Sequence, residues 1–283
     1  MKAKHDIPKL LRWNNDLYDL SIDLINSSFK ILQNDHFGFM SIFFLEKQIE
    51  HNRSMVILIN NNQHWDSTLI ARSMIEGYSQ LIWASKEKSE RGYKWRAYSW
   101  ITDWRKIKNQ ILSGDVVEQK QLTILNQSLS DIYQLFLIKK KQYIELKNGL
   151  THITDPFFKN WFGDKYSISD IIKEDNNDVF LKLYGPFSAW HHWCPGGIGE
   201  AISNTDNILQ FKNASPENAA ASLAIGFKCL VETLEIVDEH FNLFKSDIIN
   251  EFINNYIKDL GLQTIVWKPE AGLIRLNETE LRF

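Results

Sequence analysis

Residues 64–112 read HWDSTLIARSMIEGYSQLIWASKEKSERGYKWRAYSWITDWRKIKNQIL. Trp65, Leu69, Met74, Ile75, Tyr78, Leu81 and Ile82 recur at threes and fours, and Tyr93, Trp95, Tyr98, Trp100, Ile101, Trp104 and Ile107 continue the pattern. That period is helical, and it predicts one helix over about 64–88 and a second over about 90–112. With almost no gap between them, the two must lie as antiparallel neighbours. Ser113-Gly114-Asp115 then supplies a helix stop followed by a helix-start residue.

The pattern extends outward from this stretch. Leu10, Leu11, Leu17, Leu20, Ile22, Leu24, Ile25 and Phe29 predict an amphipathic helix over about 8–33, and a further helix fills 37–60 before the Asn60-Asn61-Asn62 run. After Asp115 a long helix is expected over 116–147, closed by Lys139, Lys140, Lys141 and Lys147, whose cations suit a carboxyl-terminal helix end. Residues 148–178 break the period with Gly149, Pro156, Gly163 and an acidic run, leaving Ser167-Ile168-Ser169-Asp170 as a small capped turn. Regular structure resumes near Val179, is interrupted at Gly185-Pro186, and enters the segment Trp190-His-His-Trp-Cys-Pro-Gly-Gly-Ile-Gly. Ser215-Pro216-Glu217 is a cap followed by Pro at the first helical position, starting a helix to about Phe244. Another helix covers about 248–260. The tail from Gly261 alternates weakly, as an irregular or β-like arm would. The fold expected is all-α: an elongated multi-helix bundle, one helical domain over 1–260 with a C-terminal arm over 261–283.

Composition agrees. Of 283 residues, 44% are apolar and 24% charged, as in a folded globular chain. The 13 Gly and six Pro fall below the usual shares of roughly 7% and 5%, so turns are few. A net charge of -3 argues against coating nucleic acid through an overall field. The start MKAKHDIPKL has no apolar stretch behind it and no window reaches a membrane span, which predicts a cytoplasmic protein with no membrane partner. Cys194 and Cys229 lack C-x-x-C spacing, which excludes a disulfide framework.

Two constellations carry polar chemistry. Arg72 and Glu76 stand four apart beside an apolar stripe, where they would form either a structural ion pair or an Arg poised for phosphate and oriented by the carboxylate. Arg96 on the next helix could join them. Tyr184-x-x-x-Ser188-x-x-x-His192 has spacings of one helical turn; with Pro186 as a first helical residue, Ser188 and His192 share a helix and Tyr184 approaches from outside. His192 is then a candidate general acid or base, or a locally bonded helix-end residue. His191, His192 and Cys194 are too close in sequence to ligate one ion together, and E-x-x-H is absent from the chain, so no metal or other cofactor is expected. Neither a P-loop nor a G-x-S-x-G elbow occurs. Ten Trp remain; Trp83, Trp95, Trp100 and Trp104, with Trp190 and Trp193 flanking His192, are expected to wall one helical interior or pocket.

The order of Arg72-x-x-x-Glu76, an aromatic-rich helix carrying Arg96, then Tyr184-x-x-x-Ser188-x-x-x-His192 resembles a bacterial family of all-helical proteins of unknown function, over roughly residues 35 to 240. That resemblance implies a helical fold and a polar site but no activity. A remoter similarity is to helical nuclease-type proteins named for nucleotide binding in higher eukaryotes and prokaryotes, many of them antiphage toxins. Those carry an Arg followed four to six residues later by His, a pair this chain lacks.

The function expected is an intracellular bacterial defence or stress effector acting on RNA or a nucleotide, as a metal-independent nuclease or phosphodiesterase. His192, Arg72, Glu76 and Ser188 are its catalytic candidates, and Arg96, Tyr184, Trp83 and Trp190 its substrate-binding ones. The alternative is a non-catalytic binding or assembly protein in which the same residues form a structural polar network. A homodimer through a helical face is the further partner expected.

Overall fold

The computed structural model describes residues 6–26, 29–139, 141–143, 145–146, 154–175, 177–192, 201–205, 208–212 and 214–261. The C-terminal arm beyond Gly261, the segment 193–200 with Trp193 and Cys194, and part of the 148–178 stretch lie outside the described residues. The helices are α1 (Ile7–Ile25), α2 (His36–Asn60), α3 (His64–Ser85), α4 (Lys88–Leu112), α5 (Gln119–Phe136), α6 (Ile168–Glu174), α7 (Asp178–His191), α8 (Pro216–Phe241) and α9 (Ser246–Asp259). The fold is all-α, with, among the described residues, one antiparallel strand pair, β1 (Ile202–Thr205) and β2 (Ile208–Phe211), in the register Ile202↔Phe211 to Thr205↔Ile208.

The centre of the bundle is α8. Ser215 caps it by accepting from the Asn218 amide, Pro216 takes the first turn, and Asn242 ends it in the left-handed conformation. Of its 26 residues, 18 are buried, so the helix is enclosed on every side instead of lying on a surface. α1, α2, α3 and α9 surround it. Gly226 lets α2 come close: a Cβ there would lie 2.2 Å from the Met55 methyl. α1 presents Leu10, Leu17 and Leu24 at heptad spacing, and its Asn14 amide donates to the Leu223 carbonyl of α8.

A second core lies along α4 and α5. Ala97, Ile101 and fully buried Trp104 pack on Leu122, Leu125, Leu129, Ile132 and Phe136, with Phe157 closing the end. α4 reaches across to α2 where Gly92 meets the Phe37 backbone; a Cβ at 92 would stand 2.7 Å from the Phe37 nitrogen.

Three expectations are corrected here. The fifth helix stops at Phe136, not near 147: Leu137 turns extended and bridges Phe157, and the Phe158 amide donates to the Phe136 carbonyl while Ile138 donates to Pro156. A non-local partner thus takes over the backbone bonds before the lysine run is reached. α7 is continuous through Gly185-Pro186, both exposed. Pro186 costs the helix one backbone hydrogen bond on the side where water can replace it. The tryptophans do not wall one interior: Trp83 sits against Trp161, Trp95 against Phe43 and Phe44, Trp104 against Phe157, and Trp190 against Trp65.

Candidate functional site

α3 and α7 run antiparallel, and side chains pair along their length. From one end, Tyr78 meets Phe180 edge to face, with ring centroids 5.5 Å apart. A turn further on, Glu76 accepts from the Tyr184 hydroxyl at 2.8 Å. Next, Arg72 donates from Nε to Ser188 Oγ at 2.8 Å and from Nη2 to the Tyr184 hydroxyl at 3.3 Å. At the far end the Trp65 and Trp190 rings meet at 5.2 Å between centres, tilted by 33°, and Trp190 Nε1 donates to Asp66 at 3.4 Å. Because α7 is unbroken, Tyr184 and Ser188 lie one turn apart on one face and both reach the same guanidinium.

Four of the candidates therefore meet. The Arg72 Nη2–Glu76 Oε1 distance is 2.6 Å, with 13% and 28% of the two side chains exposed. The guanidinium also lies 5.2 Å from the Tyr184 ring centre. Burial, reinforced by the bond to Glu76, pushes the Tyr184 hydroxyl above the usual phenol range, so it remains a donor at neutral pH. The group facing Ser188 Oγ is a guanidinium, which donates and cannot accept a proton; it orients the hydroxyl without activating it.

The other candidates take different positions. His192 follows α7 as its capping residue, exposed, with its amide on the Ser188 carbonyl and its ring 4.8 Å from that of His191. Trp190 pairs with Trp65, at the same end. Trp83 lies eleven residues along α3 from Arg72, roughly 16 Å at 1.5 Å per residue. There it donates to Glu174 at 3.3 Å, and the Arg91 guanidinium covers it at 3.7 Å. Arg96 stands over Phe39 and donates to the Gln33 carbonyl, on the α2 side of the bundle. Neither Trp83 nor Arg96 is part of the Arg72 cluster.

A second polar group escaped the sequence reading. Lys228 and Glu232, an i,i+4 pair on α8, are 5% and 4% exposed and bonded to each other. The Lys228 ammonium lies 5.5 Å from the Phe180 ring centre, and Glu232 Oε2 has no partner among the described residues. Burial, with the Glu232 charge beside it, pushes the neighbouring Tyr78 hydroxyl well above its ordinary range. The signal was legible: Lys and Glu one turn apart inside AAASLAIGFKCLVETLEIV, a helix apolar on all faces. Glu235, one turn from Asp238 and beside Glu232, is pushed up to about 7 by burial and by the Glu232 charge.

Among the described residues, no helix is long and apolar enough to cross a membrane. A family model described as a family of unknown function (DUF5677) matches residues 39–209, a span that holds the whole Arg72 cluster and His192 and stops before α8. No curated protein and no solved structure matches the chain.

Proposed function

The chain belongs to this family of unknown function, and we propose from the geometry of its site that it is a non-catalytic helical binding or assembly protein. The observation that supports this is the internal pairing of the Arg72 cluster: guanidinium, carboxylate, phenol and hydroxyl are spent on one another across α3 and α7. An Arg whose charge already meets a carboxylate at 2.6 Å is a weak receptor for a second anion. In this role the network fixes the register of α7 on α3 and holds Trp190, His191 and His192 at the helix end, as the surface offered to a partner.

Arg72→Ala is expected to cost about 1–3 kcal/mol, because Glu76 loses its charge partner and Ser188 its donor. Tyr184→Phe is expected to cost less, and His192→Ala, at an exposed helix end, least of the three. Differential scanning fluorimetry on the three variants tests this. A wild-type melting temperature for Arg72→Ala would remove the structural role.

A second reading is favoured by the position of His192, exposed and one turn beyond Ser188 as the residue that caps α7. It makes the chain an intracellular defence or stress effector in which Arg72 holds a phosphodiester of RNA or a nucleotide and His192 serves as acid or base. It requires purified protein to consume total RNA or nucleotides, and His192→Ala to abolish that at unchanged stability. Intact substrates after incubation with the wild-type protein exclude it.

A further inference from the structure

The outward side of α2 carries a patterned stripe. At its start Arg96, contributed by α4, lies 4.9 Å over the Phe39 ring and reaches the Gln33 carbonyl and His36 Nδ1. Phe39 and Phe43 follow, 42% and 48% exposed, backed by Trp95 at 6.1 and 5.7 Å between ring centres. One to two turns later come Glu46 and Glu50, both exposed. The order is cation, aromatics, then two carboxylates with Lys47 between them.

The charges at the two ends lack opposite partners. Arg12, Arg72, Arg91 and Arg105 each hold a carboxylate within salt-bridge distance, whereas Arg96 holds none among the described residues. Neither Glu46 nor Glu50 is bridged by a Lys or Arg among those residues. Burial and the adjacent Arg96 hold the His36 imidazole below the usual histidine range, so Arg96 is the charged member of that pair. Exposed aromatics at one-turn spacing, rimmed by uncompensated charge, are what an interface presents before it closes.

We infer that this face of α2 binds a second copy of the chain in an isologous dimer, with the two-fold axis passing near Phe43. Antiparallel α2 helices then bring Phe43 against its counterpart. Each Arg96 end falls on the Glu46–Glu50 end of the other copy, so the same attraction is made twice. An unrelated partner would need to carry the complementary carboxylates itself; this surface already supplies both halves. The inference is independent of the role assigned to the Arg72 cluster.

Analytical ultracentrifugation of the full chain between about 1 and 100 µM, the range in which a modest interface of this kind dissociates, tests it. Wild type should sediment at twice its 33.2 kDa mass. Phe43→Asp should be monomeric with an unchanged far-UV spectrum and melting temperature. Arg96→Glu and Glu50→Arg should each weaken the dimer at least tenfold, and the double variant should recover it, since the swapped pair is again opposite in sign. A monomeric wild type at 100 µM, a dimer indifferent to Phe43→Asp, or single charge reversals without effect would each overturn it.

Discussion

Replacing Lys228 by Met keeps the length and most of the volume of a side chain in the middle of α8 and removes only its charge. Glu232, 4% exposed, is then left with the Tyr78 hydroxyl in place of an ammonium, and its Oε2 was already without a partner among the described residues. Removing one member of a buried pair costs about 3–5 kcal/mol, because the stranded charge keeps its desolvation cost without the attraction that offset it. At about 2–4 °C per kcal/mol for chains of this size, the melting temperature should fall by roughly 6–20 °C. Urea unfolding at pH 7.5, read by tryptophan fluorescence, gives the free energy directly. Replacing both partners, Lys228→Met with Glu232→Leu, removes the stranded carboxylate and should return stability to within about 1.5 kcal/mol of wild type or above it. Should Lys228→Met lose less than about 1 kcal/mol, or should the double variant be no better than the single, the pair does not sit in a dry interior and the reasoning fails.

Two further outcomes are expected. Glu235 is pushed up to about 7 in the folded protein against an ordinary 4.5, so the native state binds the extra proton; the stability this group contributes is complete below about 4.5 and is lost as pH rises through about 7. Glu235→Gln should flatten that slope and leave the variant more stable than wild type at pH 8 by up to about 3 kcal/mol, measured by urea unfolding across pH. Gly92→Ala should destabilise by about 1–3 kcal/mol, since its methyl would meet backbone and not a movable side-chain tip at Phe37; a melting temperature equal to wild type would show that α4 can slide away from α2.

What the sequence disclosed was whatever depended on local spacing. The α3–α4 period, the Ser215-Pro216 start and the Arg72–Glu76 pair are all set within one or two helical turns, and each stands where it was expected. Tyr184 and Ser188 were legible as a pair, yet Pro186 suggested that Tyr184 lay outside the helix; only the exposed setting of that turn explains why it does not break. The end of α5 was illegible because Phe157, twenty residues away, decides it. Arg96 and Trp83 were grouped with Arg72 on residue type alone, and type does not say which face of a neighbouring helix a side chain meets. The β1–β2 hairpin was also missed, although Asp206-Asn207 between two short runs was a turn signal.

The helix that α1, α2, α3 and α9 lean on is made late. α2 and α3 carry apolar faces fitted to α8, but the ribosome delivers about 150 further residues between the end of α3 and the end of α8. At about 5–20 residues per second that interval lasts on the order of ten to thirty seconds, with Met55, Met74 and Ile75 having nothing permanent to cover them. The nascent chain is thus expected to lean on chaperones until residue 241 has emerged. Shortened before residue 216, it would keep the Arg72 cluster intact on paper and collect in the insoluble fraction.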